Sequence, residues 1–504
     1  MDLNLKYETV KINKIIFNKN LEQSIEFSYQ LPDYYTGIFK VLQFELEPVI
    51  SSCRASNKQF LIDGNAKAKL IYIDEEGGNV KSIHQNIPFS RTIDLNEEAL
   101  DSVLYYNLKT NYKNCKIISP KKIEIKANLI LSVKILSQKE ENFLMASNEK
   151  TIQFRQVPIY VTKKQIWASQ QFKINEQLEL KTVAKDILDV KINLIDDETK
   201  LISNKIISKS IANIEILYCD NETNSIILQK TSLPINNILD MPDINEKYLY
   251  NMKYDVIYIN FEMMQEGKIL NIEADAVVNG YASLSEKINI IVDSFSTKYE
   301  VDLTKKEFNS STIVSVLNSN VSISDSLQNI NMEKIFDINA NILDLIHIVD
   351  DSNNKIKFKA KLNLNILGEN KEKTIEAYTK SIPIEFFIHY NENNLNGVNI
   401  NIDDITFLDI DYSLTENLNF KINFNLKGYI LNNDNISTLS EISIDETKIK
   451  EKQKAALTLF YPKVGDKIWN IAKYFCTSPQ AIAEANNLQS DVIQNETMLI
   501  IPII

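Results

Sequence analysis

The chain has 504 residues, is 44% hydrophobic and carries a formal charge of -12 at pH 7. That length and apolar content suffice for three or four packed domains, which excludes global disorder, and the acidic balance with scattered Lys and Arg argues against a nucleic-acid partner. With 10 glycines and 4 far-spaced cysteines, the chain lacks the raw material for phosphate-cradling loops, zinc ribbons or a disulfide framework.

Met1 to Val10 shows neither the basic head nor the apolar core of a signal peptide, and no apolar run approaches the roughly 20 residues of a spanning helix. The expectation is a protein without a transmembrane segment that starts out in the cytosol. Beyond a short N-terminal segment (1–20), an apolar pattern then occurs three times. Val41-Leu42-Gln43-Phe44, Ile187-Leu188-Asp189-Val190 and Ile335-Phe336-Asp337-Ile338 are equivalent. Ala66, Ala212 and Ala360 each open the next strand, Pro88, Pro234 and Pro383 mark the one after, and strands starting near Lys122, Ile269 and Asn417 close each copy. Four landmarks in nearly constant register predict three tandem domains.

Period-two alternation, as in Asn419-Phe420-Lys421-Ile422-Asn423-Phe424, makes each copy a half-buried antiparallel sheet. Turns are expected at 74–79, 219–224 and 368–371, and again at 119–121, 265–268 and 414–417; Gly77-Gly78 belongs to the first. The predicted fold class is mainly β: three tandem antiparallel sandwich-like or barrel-like domains (21–140, 167–287, 318–432), connectors at 141–166 and 288–317, a charged linker at 433–456, and a small βααβ domain at 457–504.

Candidate chemistry is sparse. His84, His347 and His389 have no acid or hydroxyl at a fixed spacing across the copies, so no catalytic site is expected. Asp196-Asp197-Glu198 and Asp350-Asp351 lack the alternating carboxylates and glycine of a calcium loop, and no metal or cofactor is expected. The aromatic residues read as core and cross-strand packing, with Trp167 at the entry to the second repeat read as core.

The tail is the most specific stretch. Asp466, after Gly465, is expected to cap a helix whose Ile468, Ile471, Ala472 and Phe475 form one apolar face, with Trp469 off that face, either packed at the helix edge or serving as a surface anchor. Ser478-Pro479 begins a second helix that ends at Asn486-Asn487, and strands 457–461 and 498–501 flank the pair. The residues Val464-Gly465-Asp466-Lys467-Ile468-Trp469, Asn486-Asn487-Leu488 and Asp491-Val492-Ile493 are similar to a LysM domain. The resemblance implies a shallow groove between the loops 465–468 and 487–493, formed by Gly465, Asp466, Lys467, Ile468, Trp469, Asn487, Leu488, Asp491, Val492 and Ile493. Of these, Lys467, Ile468, Trp469, Leu488 and Ile493 are expected to line the partner surface. LysM domains generally hold N-acetylglucosamine glycans such as peptidoglycan. Here Val464 replaces the usual proline, Lys467 a small hydroxyl residue and Cys476 the glycine that ends the first helix, so a protein partner is expected ahead of a glycan.

The three repeats resemble the SPOCS module of endospore-forming bacteria. The alanine-led strand ending in Tyr72-Ile73-Asp74 or Tyr218-Cys219-Asp220 carries that resemblance, and the third copy, with Ile366-Leu367-Gly368-Glu369, is the most diverged. The order of three SPOCS-like modules and a LysM domain is similar to that of the SipL family of clostridial spore-coat morphogenetic proteins. That resemblance implies a non-enzymatic mother-cell scaffold at the forespore surface and in the spore coat, docking on the coat ATPase SpoIVA and other coat proteins. The competing expectation is a peptidoglycan-binding wall or cortex protein.

Overall fold

Buried Ile123, Ile125, Ala127, Leu129, Leu131, Val133 and Ile135 alternate with more exposed neighbours, and this period of two holds Lys122–Ser147 as a single strand of 26 residues. The same pattern builds nearly the whole chain. The structure, a computed structural model, describes residues 5–99, 102–147, 149, 151–350, 355–390, 398–450 and 457–502.

The first set of strands is β1 (Leu5–Gln30), β2 (Ile38–Ser56), β3 (Gln59–Asp74), β4 (Val80–Asp94), β5 (Ser102–Ser119) and β6 (Lys122–Ser147). The second is β7 (Ile152–Glu179), β8 (Ala184–Ile202), β9 (Lys205–Asp220), β10 (Ile226–Asp240), β11 (Leu249–Met264) and β12 (Ile269–Ser296). The third is β13 (Tyr299–Leu327), β14 (Lys334–Asp350), β15 (Lys355–Glu369), β16 (Ile375–His389), β17 (Val398–Leu414) and β18 (Leu418–Ile449). One order of pairing occurs in all three: a three-stranded antiparallel sheet (β2-β3-β4, β8-β9-β10, β14-β15-β16) and a hairpin paired to the long opening strand (β1-β6-β5, β7-β12-β11, β13-β18-β17). In each set the apolar faces of both groups of strands share one core, as Ala66, Leu70, Ile125 and Leu129 do in the first. The fold is mainly β and antiparallel throughout, and the described strands form open sheets rather than a closed barrel.

The expected turns are all present. Asp74, Asp220 and Asn370 each fold a side-chain oxygen back onto turn amides, at 2.9 Å to Asn79 N, 2.7 Å to Thr223 N and 3.0 Å to Thr374 N, so the carboxylate and the amide do the same work.

Four stretches expected to lie outside the repeats are largely strand instead. β1 pairs with β6 from Leu5 to Gln30, which absorbs residues 5–20 of the N-terminal segment; residues 1–4 lie outside the described residues. Of segments 141–166 and 288–317, residues 141–147, 152–166, 288–296 and 299–317 belong to the long strands, with a turn at 297–298, and the charged stretch from Asn433 is strand up to Ile449, paired with β13. Residues 451–456 of that stretch lie outside the described residues, as does Asp351. The physical reason is a bulge in each long strand, at Ile16, Lys163 and Val314, where one extra residue turns the following apolar set to the other face. Beyond the bulge the ribbons pack on each other: Ile12, Phe143, Val161, Ile290 and Ile436 make one core between all three sets. Trp167 is a second correction. It lies 43% exposed on β7 opposite Tyr281, so it is no core residue.

Candidate docking surface of the C-terminal module

The tail is β19 (Thr458–Phe460), α1 (Ile468–Phe475), α2 (Pro479–Ala485) and β20 (Leu499–Ile501), with β19 and β20 paired antiparallel. Ile468, Ile471 and Ala472 on α1 and Ile482 on α2 are buried against Leu499 and Ile501, with Phe475 packed beside them, which is the apolar face expected from the spacing. Ser478 caps α2 by accepting from Ala481 N, and Pro479 fills its first turn. Asn486 closes the domain: its side-chain amide donates to Ile482 O and Ile500 O and accepts from Ile500 N, all within 2.8 Å. Asp466, expected to cap α1, instead accepts from Lys463 N at 2.8 Å, and Lys467 occupies the cap position without a side-chain bond. The carboxylate closes the preceding turn because it lies one residue too early for the helix amides.

The two loops of the expected groove are joined by backbone. Gly465 N donates to Ile493 O, Ile493 N to Asp466 O and Ile468 N to Asp491 O, at 2.8 to 2.9 Å, and Lys467 bridges Val492. Gly465 supports this at a φ of +94°, in the left-handed region. The ladder sorts the site residues into two groups. Lys467, Asn487, Asp491 and Val492 are exposed along the rim with Gly465, while Asp466 and Leu488 are half-buried. Ile468, Trp469 and Ile493, expected on the partner surface, are 2%, 9% and 4% exposed and lie in the domain core. The ladder turns their side chains inward, so in this structure they support the rim from beneath.

Trp469 looks toward the rest of the chain. Its indole packs edge-on to Phe295 of β12 with centroids 4.9 Å apart, and its Nε1 donates to Asp293 Oδ2 at 2.8 Å. Lys473, one helical turn on, donates to both carboxylate oxygens of Asp293 at 2.9 Å. Burial alone would raise the Asp293 carboxyl; Lys473 and Trp469 outweigh it and hold the group below the ordinary carboxylate range. Asp293 and Phe295 had no signal in the sequence, since they follow a bulge in a segment expected to be connector.

The other candidate residues lie apart from the tail. His84 meets Leu188 O at 3.0 Å and stacks edge-on to Phe261, and burial lowers its ring below the ordinary imidazole range. His347 lies beside Phe358, and His389 is exposed at the end of β16. Asp196 accepts from Lys427 at 3.1 Å, and Glu198 pairs with Lys200 and Lys209. A cleft of about 1800 Å³ between the three sets is lined by β2, β5, β8, β11, β14 and β17, with lysines and carboxylates on its walls. Burial raises the Cys53, Cys115 and Cys219 thiols to about 12, 11 and 12, which keeps them unreactive near neutral pH. Among the described residues no group of three or more His, Cys, Asp and Glu is placed to hold a metal ion, and no helix is long and apolar enough to cross a membrane.

Comparison with protein families matches residues 37–118 and 184–264 to the SipL, SPOCS domain family and residues 463–502 to the LysM domain family. The first match spans β2 to β5 and the second β8 to β11, so the long ribbon strands β1, β6, β7 and β12 lie outside both. No curated protein and no solved structure matches the chain. The two families are non-catalytic scaffolding and binding modules, tied to sporulation and the spore coat through the first and to peptidoglycan as a generic LysM association through the second.

Proposed function

We propose, from the premise that this chain contains SipL-type SPOCS domains and a C-terminal LysM domain, that it is a spore-coat morphogenetic scaffold. Its LysM tail docks on a SpoIVA-like coat ATPase and tethers the assembling coat to the forespore surface from the mother-cell side. The three strand sets are read as three tandem sandwich modules, 5–147, 152–296 and 299–449, the third a diverged copy with the same order of pairing. Repeated modules on one chain raise effective affinity when the partner is itself polymeric, as a coat layer is.

The observation that carries this reading is the rim of the tail. Lys467, Asp491 and Val492 stand exposed side by side on the bridged loops, a mixed-charge and apolar strip where a long cation occupies the place of the small hydroxyl residue usual in glycan-binding relatives. Such a strip suits a protein surface, in which a partly desolvated charge pair sets orientation and Val492 and Leu488 supply apolar contact. Lys467→Glu with Leu488→Asp in the full chain is expected to lower retention of the purified coat ATPase at least tenfold in a pull-down, with the fold retained by circular dichroism. Unchanged retention would refute the assignment.

Peptidoglycan binding is the second reading, favoured by the intact backbone frame from Gly465 to Ile493. The same pull-down against purified peptidoglycan separates them: selective retention on glycan, lost in the double variant, reverses the order.

A further inference from the structure

The strongest sequence landmark, Val41-Leu42-Gln43-Phe44 and its counterparts, has a structural cause. Strict alternation would place residues 41 and 43 on one face. Instead a bulge falls at the second residue of every copy, between Val41 and Gln43, Ile187 and Asp189, and Ile335 and Asp337. The extra residue sends two successive side chains out of their own module's core. The apolar ones, Leu42, Leu188 and Phe336, converge in a cluster shared by all three modules, together with Ile71, Leu217 and Leu367. The polar ones, Gln43, Asp189 and Asp337, are buried beside it at 7%, 4% and 4% exposure.

Asp189 and Asp337, the residues two positions after each polar one (Glu45, Lys191 and Asn339) and Lys69 of β3 close a ring. Lys69 of the first module donates to Asp189 of the second at 2.5 Å. Lys191 of the second donates to Asp337 of the third at 2.8 Å and also to Asn339. Asn339 of the third donates to Glu45 of the first at 3.0 Å, and Glu45 pairs with Lys69 at 2.7 Å. The contacts run from first to second, second to third and third to first, which is a head-to-tail interface that closes. Equivalent positions differ in kind: Glu45, Lys191 and Asn339 correspond, as do Lys69, Glu215 and Asn363. Each of the three joints therefore has its own donor and acceptor.

We propose that this ring is a recognition code between modules: it selects which module sits beside which, and it makes the three SPOCS-type modules one closed body instead of a flexible string. Buried charges contribute little net stability when paired but cost heavily when mispaired, which makes them selective. Exchanging the second module's face for the first's would set Glu215 against a carboxylate. The inference is independent of what the tail binds.

The test uses the full chain with a protease site placed between β6 and β7, cut after folding. The parent's two pieces are expected to stay together through gel filtration and to unfold in one transition. Lys69→Glu, which faces Asp189 and Glu45, is expected to weaken their association a hundredfold or more, while Lys69→Arg keeps it. If Lys69→Glu does not fold, Asp189→Asn, of the same shape, is expected to separate the pieces on dilution where the parent's remain joined. Association changed less than threefold by Lys69→Glu, or by Asp189→Asn where that variant stands in, would overturn the proposal.

Discussion

The joints between modules and the joint between body and tail use the same chemistry at different depths. The side chains of Lys69 and Asp189 retain 10% and 6% of their exposure, whereas those of Lys473 and Asp293 retain 42% and 21%. The first pair is one of several linked charges beside an apolar cluster fed by all three modules; the second is backed by a single aromatic contact, Trp469 on Phe295. Depth decides how costly a broken pair is, because an uncompensated charge is penalised by burial and forgiven by water. The body is therefore built to stay closed, and the tail is built to be held in place with its rim outward.

Acid gives the sharpest contrast between the two. Burial would raise the Asp189 carboxyl, but Lys69 and Lys191 outweigh it and hold the group at about 2. A lowered folded-state value means stability that is fully present above the unfolded value, about 3.9 for Asp, and lost as pH falls toward 2. The expected loss from this carboxylate is roughly 2 to 3 kcal/mol between about pH 5 and pH 1. Chemical denaturation across that range checks it, and Asp189→Asn should flatten the slope. A slope unchanged by that substitution would place the acid sensitivity elsewhere.

The tail joint should yield more gently. Asp293→Asn removes the charge that Lys473 meets and is expected to cost about 1 to 2 kcal/mol of docking, discounted for the exposed lysine. With Trp167 replaced by Phe, Trp469 is the single indole of the chain, so its emission should shift to the red while the unfolding of the body keeps its midpoint. An unshifted emission would mean that Phe295 alone holds the tail.

How much of this was legible depended on whether a side chain answers to its own segment. The tail's βααβ order, the Ser478 cap, the turns at Asp74, Asp220 and Asn370 and the alternating strands follow from local spacing. The landmark at residues 41, 187 and 335 was visible too, but as a repeat without a purpose. Its bulge depends on what the second and third residues meet in another module, some 120 to 150 positions away in the chain. A second family of bulges, at Asn111, Ile257 and Asp403, recurs every 146 residues on β5, β11 and β17, and no composition signal marks it. The long ribbons were mistaken for connectors for the same reason: their apolar residues face neighbouring ribbons, so the pattern changes phase at Ile16, Lys163 and Val314. Trp469 was open between packing and anchoring because both use an aromatic at a helix edge; Asp293, which decides the matter, lies 176 residues upstream.

The smallest expected effect lies at Cys476. It ends α1 with a φ of +54° and ψ of 39°, the left-handed conformation that glycine adopts freely and that costs an ordinary side chain about 1 kcal/mol. Cys476→Gly relieves that strain, but it also frees a glycine in the unfolded chain, so the net gain should stay below about 1 kcal/mol. The gain should appear in the unfolding of the tail, followed through Trp469, and leave the body unchanged. A shift of both together would mean that the joint at Asp293 couples tail and body into one cooperative unit, which would remove the contrast between them.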